Sequence, residues 1–174
     1  MVQLRDKSLS DKELIATAQV AKKVCKGFNV PFIINDRPDI ALYVDADGVH
    51  IGQDDIPASL CRKILGTKKI VGLSTHAKEE FDASINEPID YISAGPVVQT
   101  PTKPGRMGTG TDYIKYVAAK SKMPWFLTGN VNPETISDYL NSGARRFVVV
   151  RYLTQSKSPE QDATNLVNLL ESYR

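Results

Sequence analysis

The sequence predicts an α/β fold in which parallel strands alternate with helices, and three observations support this. Short apolar runs rich in β-branched residues recur along the 174-residue chain, which is typical of strands buried on both faces. Longer segments with helical periodicity separate these runs. Polar and charged residues collect directly after the apolar runs, where the carboxyl ends of parallel strands would lie together.

The apolar runs define the strands. The first run, Val2–Leu4, is predicted as the tail of a strand, and six further strands follow because each run is apolar and bounded by polar or turn residues. These six are Phe32–Ile34, Gly48–Ile51, Ile70–Leu73, Tyr91–Ala94, Trp125–Leu127 and Phe147–Val150.

Helices are predicted between the strands. The first begins at Ser10, whose hydroxyl is a typical N-cap, and Gly27 follows its last residue as a stop signal. A chain that alternates strands and helices in this way folds with right-handed crossovers between parallel strands. The predicted helices are Ser10–Lys26, Pro57–Leu65, Ala77–Asn86, Thr111–Lys122, Asn132–Asn141 and Ser158–Tyr173.

The spacing of these units fits either a (β/α)8 TIM barrel or a doubly wound sheet. An open sheet concentrates its chemistry at one switch point, whereas a barrel collects it from every strand end. Because polar residues follow nearly every predicted strand, we predict the barrel, as a single domain over residues 1–174.

Composition limits the classes of partner. The 22 basic and 20 acidic residues leave a net charge of +2, which predicts no binding to nucleic acid and none to a membrane surface. The two cysteines form no CxxC pair, and no apolar run approaches the roughly 20 residues of a spanning helix. We therefore expect a cytoplasmic protein that acts on small molecules.

Two acids follow neighbouring predicted strands. Asp36 closes the run P-F-I-I-N-D, and Asp55 closes G-V-H-I-G-Q-D-D. As helix N-caps or rim charges they would need no ligand. If the strands are neighbours, however, the two carboxylates meet and suit Mg²⁺, which takes one or two protein carboxylates. Asp54 is expected to be a rim carboxylate, and His50 a strand residue rather than a metal ligand.

Basic and hydroxyl residues near other strand ends are candidates for binding phosphate. Arg5 and Lys7 project to one side of an extended segment, either as surface charges or as a phosphate clamp. Lys103 would add a cation if its loop folds over the same mouth. Thr100 and Thr102 would offer hydroxyls and amides, or form an ordinary turn.

Three further positions have both a functional and a structural interpretation. Gly129 could let main-chain amides approach a phosphate or simply permit a tight turn. Ser74 could donate into the mouth of the barrel or cap the next helix. Arg151 ends the last predicted strand. The long loop of residues 95–108 is a candidate binding loop or lid.

Six sequence blocks, in this order, resemble the motifs of the thiamine-phosphate synthase family. They are V-Q-L-R-D-K, P-F-I-I-N-D-R-x-D-I-A-L, D-A-D-G-V-H-I-G-Q-D-D, G-L-S-T-H, D-Y-I-S-A-G-P and T-P-T-K-P-G. The resemblance implies a TIM-barrel transferase. It would join 4-amino-2-methyl-5-(diphosphooxymethyl)pyrimidine to 4-methyl-5-(2-phosphooxyethyl)thiazole, giving thiamine monophosphate and pyrophosphate.

The resemblance also implies roles for individual residues. Asp36 and Asp55 would hold Mg²⁺. The pyrimidine diphosphate would contact Gln3, Arg5, Lys7, Asn35, Ser74 and Lys103, of which Arg5, Lys7, Ser74 and Lys103 would be catalytic. The thiazole phosphate would contact Thr100, Thr102, Gly129, Val150 and Arg151.

The sequence departs from the family pattern in two places. A strand and helix that usually precede V-Q-L-R-D-K are absent, which predicts a truncated barrel without β1, α1 and most of β2, and a homo-oligomer that covers the open edge. Asn130 stands where the family usually shows a second glycine. The alternatives are a thiazole tautomerase-like isomerase, or a catalytically impaired remnant that binds a ligand or partner.

Overall fold

The structure, a computed structural model, describes residues 1–101, 105 and 107–173. Within these residues its strands are β1 (Val2–Leu4), β2 (Phe32–Asn35), β3 (Gly48–Ile51), β4 (Ile70–Thr75), β5 (Tyr91–Ala94) and β6 (Trp125–Leu127). Its helices are α1 (Asp11–Gly27), α2 (Pro38–Tyr43), α3 (Ala58–Leu65), α4 (Lys78–Ser84), α5 (Gly110–Lys120), α6 (Ile136–Asn141), α7 (Arg151–Thr154) and α8 (Pro159–Glu171).

The chain divides into two compact units. The first comprises residues 1–75 and 82–92, and the second comprises residues 76–81 and 93–174. The strands follow the order β1-β2-β3-β4-β5-β6 in the sheet, which is the order expected when each strand pairs with the next one along the chain. The α/β prediction is therefore confirmed, and a single domain over the whole chain stays a prediction.

The parallel register of the first unit determines which residues share a level. In β2 and β3, Asn35 lies opposite His50, and in β3 and β4, His50 lies opposite Gly72. Gln3 of β1 lies opposite Ile33. Because all these strands run the same way, the residues that follow them emerge at one end of the sheet.

The core of the first unit is built from the apolar runs that predicted the strands. Phe32, Ile34, Val49 and Val71 are fully buried. Helix α1 packs on this layer through Leu14, Ala18 and Cys25, and α3 through Cys61 and Leu65. A parallel sheet covered by helices requires such continuous apolar strands, so the core follows directly from the sequence.

Helix α1 begins as the sequence predicts. The Ser10 hydroxyl accepts a hydrogen bond from the amide of Glu13, whose carboxylate accepts one from the Ser10 amide in return. This capping box satisfies two of the amides that a helix start leaves without partners. The predicted end is one residue short, because Gly27 is still helical and the left-handed residue is Asn29, at φ 54°.

Two elements differ from the prediction. Helix α2 was missed, because it is only six residues long; it starts with Pro38 at its first turn, where proline needs no amide partner. The predicted strand Phe147–Val150 is wrong in extent, since only Phe147 forms a bridge, with Leu127. Val150 then adopts φ −122° and ψ −86° and leads directly into α7.

In the second unit, main-chain hydrogen bonds connect neighbouring extended segments. The amide of Thr128 donates to the Ala94 carbonyl at 2.9 Å, and Leu127 donates to Arg146 at 2.9 Å. Helix α6 begins later than predicted, at Ile136. In the turn before it, the amides of Glu134 and Thr135 donate to the Asn132 side-chain oxygen. Among the described residues, no helix is long and apolar enough to cross a membrane.

We predict that Gly48→Ala lowers the free energy of unfolding by about 1–3 kcal/mol or more. A Cβ atom at Gly48 would lie 2.0 Å from the Ile70 carbonyl oxygen, and backbone paired in a sheet cannot move aside cheaply. Gly27→Ala is the matched control, since nothing lies within 4 Å of its added Cβ. Urea denaturation checks this, and equal stabilities for the two variants would contradict it.

Candidate functional site

Asp36 lies at the end of β2 in a conformation that turns its carboxylate out of the sheet. Its φ is 60°, a left-handed value that Asp and Asn tolerate better than most residues. Its amide donates to the His50 carbonyl at 2.8 Å, so the pairing of β2 with β3 continues one residue past the strand. The Asn35 side-chain nitrogen donates to the Asp36 carboxylate at 2.8 Å and to the same His50 carbonyl at 3.2 Å.

Asp55 approaches from the turn that follows β3. Its carboxylate accepts a hydrogen bond from the Gly52 amide at 2.7 Å, which closes the turn and orients the side chain. Burial of Asp36, together with the neighbouring Asp55 carboxylate, raises the pKa of Asp36 above its ordinary value, although Lys7 opposes the shift. The predicted meeting of the two acids is therefore confirmed.

Lys7 forms an ion pair with Asp36. The Asp36 side chain is largely buried, at 15% exposure, and the Lys7 side chain is more than half exposed, at 58%. Gln3, in β1, and Arg5, directly after β1, are also exposed. The structure thus brings Lys7, Asn35, Asp36 and Asp55 together.

This cluster fits a divalent cation that prefers oxygen ligands. The Asn35 side-chain oxygen is buried and has no hydrogen-bond partner among the described residues, beside two carboxylates that repel one another. No group of three or more His, Cys, Asp or Glu residues in the described part of the chain forms a cage for a metal. A site with two carboxylates leaves coordination positions for water and substrate oxygens, as Mg²⁺ requires.

Ser74 is buried within β4 at 2% exposure, so the alternative in which it caps the next helix is wrong. Its hydroxyl lies 2.9 Å from His50 Nε2, and its carbonyl accepts a hydrogen bond from the Gln53 side chain at 2.6 Å. His50 is a strand residue, as predicted. Sequence reasoning missed Gln53, because nothing in the motif G-Q-D-D indicates which way its side chain turns.

In the second unit, Gly129 is required by its backbone. Its φ is 111°, and a Cβ atom there would lie 2.5 Å from the Val97 amide nitrogen. The Tyr139 hydroxyl donates to the Gly129 carbonyl at 2.8 Å. Asn130 follows at φ 52°, and the Thr135 hydroxyl donates to its carbonyl at 2.8 Å. The tight turn is therefore real, and Asn130 adopts a backbone conformation suited to its residue type.

The remaining predicted residues of this unit lie in different settings. Thr100 is buried, and Val150 is exposed at the start of α7, where Arg151 is the first helical residue rather than a strand end. Thr102 and Lys103 lie outside the described residues. Near the two ends of the loop of residues 95–108, the Thr109 amide donates to the Pro96 carbonyl and the Gly110 amide donates to the Val97 carbonyl.

We predict that the wild-type protein loses stability relative to Asp36→Asn as pH rises above 3.8, the ordinary value for this carboxyl. Because the folded-state pKa is raised, the folded state binds more protons than the unfolded state in this window, and folding weakens as they dissociate. The loss is complete above the raised pKa. Asparagine keeps the left-handed backbone, which makes it the suitable replacement.

Denaturant unfolding from pH 4 to pH 8 in a chelating buffer measures this difference. Asp54→Asn is the control, since it removes a carboxylate from an exposed position of the same segment. A stability difference between wild type and Asp36→Asn that stays constant, or that favours wild type as pH rises, would contradict the assignment.

Comparison with known proteins gives consistent matches. A family model described as thiamine monophosphate synthase matches residues 1–153. The thiamine-phosphate synthase of Nostoc punctiforme is 44% identical over 159 residues, which are 91% of this chain and 45% of that protein. That of Persephonella marina is 39% identical over 173 residues, which are 99% of this chain and 83% of that protein.

The chain spans about half the length of the cyanobacterial relatives, covering 50% of the thiamine-phosphate synthase of a second Nostoc strain at 41% identity. Among solved structures, thiamine phosphate pyrophosphorylase from Pyrococcus furiosus matches with a TM-score of 0.89 and 24% identity, covering 98% of this chain and 82% of that one. This likeness shows the fold. The predicted loss of a preceding strand and helix finds no support in these matches. The chain belongs to the thiamine monophosphate synthase family.

Proposed function

We propose that this chain acts as a thiamine-phosphate synthase. It would join the pyrimidine methyl diphosphate to the thiazole phosphate and release pyrophosphate. The observation that carries the proposal is the cluster of Lys7, Asp36 and Asp55 at the ends of neighbouring strands. The names of the relatives point to the same activity.

The reaction needs charge stabilisation more than a nucleophile. The bond between the pyrimidine methylene carbon and the diphosphate oxygen breaks, and its electron pair leaves with pyrophosphate. The thiazole nitrogen then gives its lone pair to the methylene carbon. Groups that stabilise negative charge on the departing oxygens lower this barrier, and no residue has to form a covalent bond to substrate.

Asp36 and Asp55 would hold Mg²⁺, which supplies positive charge beside the diphosphate. The buried oxygen of Asn35 is a further polar group at this position. Lys7 lies against Asp36 and would donate to a diphosphate oxygen, with Arg5, Gln3 and Ser74 as further donors. Lys103 is proposed for the same role from its motif. The groups proposed to donate hydrogen bonds to the diphosphate, whether positively charged or neutral, therefore outnumber the two acids.

The thiazole phosphate would contact residues of the second unit. The Gly129–Asn130 turn supports this because a glycine lets main-chain amides approach an anion closely. The two carbonyls of this turn accept hydrogen bonds from the hydroxyls of Tyr139 and Thr135, and these bonds stabilise the turn. We propose Thr100, Thr102, Gly129, Val150 and Arg151 for this role.

The paired acids also separate this proposal from the isomerase alternative. A thiazole tautomerase would need neither diphosphate ligands nor a divalent cation, and two repelling carboxylates would then cost stability without serving the reaction. We further propose that the protein is cytoplasmic and that copies of it associate into a homo-oligomer.

We predict that the purified protein releases pyrophosphate from the two phosphorylated precursors in the presence of Mg²⁺. Asp36→Asn and Asp55→Asn should each lower kcat/KM by about 100-fold or more, because each removes a charge that holds the metal beside the leaving group. A coupled pyrophosphate assay, with thiamine monophosphate identified by mass spectrometry, provides the measurement.

Asp54→Asn is the matched control, since it changes the adjacent acid and should retain activity within a few-fold of wild type. Absence of turnover in folded wild-type protein would exclude the synthase. Equal losses in all three variants would show that general charge, rather than the pair of acids, is responsible.

A further inference from the structure

Three buried side chains of the first unit are joined by hydrogen bonds, and the main chain of one of them, His50, contacts Asp36. His50 Nδ1 lies 2.9 Å from the Tyr91 hydroxyl, and His50 Nε2 lies 2.9 Å from the Ser74 hydroxyl. The three residues are 5%, 5% and 2% exposed, in the order His50, Tyr91, Ser74. None of the roles proposed above uses His50 or Tyr91.

The sheet leaves room for these hydrogen bonds. Tyr91 lies on β5 and His50 on β3, so the tyrosine ring must pass over β4 to reach the imidazole. At that level β4 carries Gly72, the register partner of His50. A Cβ atom at Gly72 would lie 2.1 Å from the Tyr91 ring. The missing side chain therefore makes room for the ring, which stacks on His50 at 5.3 Å between centroids.

Acidity and basicity decide the direction of the hydrogen bonds. A phenol is a stronger acid than a neutral imidazole N–H or an aliphatic hydroxyl, and an imidazole nitrogen is a stronger base than a phenol oxygen. Burial raises the pKa of Tyr91, so its hydroxyl stays protonated. The favoured pairing has Tyr91 donating to Nδ1, which places the imidazole proton on Nε2.

An imidazole protonated on Nε2 donates to the Ser74 oxygen. Ser74 then gives its own proton to an acceptor other than His50. In the opposite tautomer, Ser74 would donate to His50 and present only lone pairs, which repel an anion. Gln53 fixes the main chain of the same residue through the Ser74 carbonyl, at 2.6 Å.

We propose that His50, held by Tyr91 with its proton on Nε2, is a positioning residue that keeps the Ser74 hydroxyl a donor toward the diphosphate. This inference rests on the proposed function, since it takes the diphosphate as the ligand of Ser74. In this proposal His50 and Tyr91 influence diphosphate binding by orienting the Ser74 hydroxyl, not by contacting the diphosphate. They act through Ser74 alone.

The test is a double-mutant cycle between His50 and Ser74. In His50→Gln the side-chain amide nitrogen reaches the place of Nε2, whereas in His50→Asn it reaches only that of Nδ1. We expect Ser74→Ala and His50→Asn each to raise KM for the pyrimidine diphosphate about tenfold, and the double variant to be no worse than Ser74→Ala. His50→Gln should stay within about threefold of wild type, and KM for the thiazole phosphate should not change in any variant.

The tautomer has a direct spectroscopic signature. The chain has two histidines, so the ¹⁵N signals of His50 are assigned by comparison with His76→Gln. We expect an unprotonated Nδ1 and a protonated Nε2 in wild type, and a mixture of tautomers in Tyr91→Phe, which keeps the ring over Gly72. A protonated Nδ1 in wild type would overturn the proposal.

Binding of inorganic pyrophosphate with Mg²⁺, measured by calorimetry, separates the two proposals. If wild type shows no turnover, the synthase fails, and the pattern of Kd values among the same variants still tests the positioning role. If wild type is active but the effects of His50→Asn and Ser74→Ala add fully, the positioning role fails and the synthase stands. Circular dichroism confirms that each variant is folded.

Discussion

The hydrogen bond from the Asp36 amide to the His50 carbonyl, 2.8 Å long, connects the features on which the candidate site depends. It extends the pairing of β2 with β3 by one residue and holds Asp36 at a positive φ. The carboxylate therefore turns toward Asp55 and Lys7. The same pairing fixes the main chain of His50, whose ring lies within hydrogen-bond distance of the Ser74 hydroxyl. A shift in the register of β2 with β3 would separate the two acids.

The arrangement of Lys7, Asn35, Asp36 and Asp55 costs the folded protein stability. Burial and the neighbouring Asp55 carboxylate raise the pKa of Asp36, although Lys7 opposes the shift, and the Asn35 oxygen is buried without a described partner. Elsewhere in the first unit, acids are placed where they stabilise the fold: Asp90 accepts hydrogen bonds from the Val71 amide and from Arg62. This contrast supports a binding role for the Asp36 cluster, because perturbed groups in a shared site are characteristic of function.

The sequence was sufficient to predict most strands and the meeting of Asp36 with Asp55. Continuous apolar runs mark buried parallel strands, and parallel strands bring their ends together. It was not sufficient to predict α2, whose six residues give too little periodicity. It also failed for the run that begins at Phe147, because the backbone angles of Val150 end the extended segment and start α7. The hydrogen bonds that join Ser74, His50 and Tyr91 could not be predicted either. Tyr91 reaches His50 across β4 only because Gly72, the register partner of His50, has no side chain.

The central claim is that Asp36 and Asp55 jointly hold a divalent cation beside a diphosphate. The most direct measurement is anomalous X-ray diffraction from crystals grown with Mn²⁺ and pyrophosphate. Our account predicts one anomalous peak within coordination distance, roughly 2.0–2.5 Å, of oxygens from both carboxylates and from pyrophosphate. A peak that contacts neither acid, or pyrophosphate bound with the Asp36–Lys7 pair intact and no metal between the acids, would contradict it.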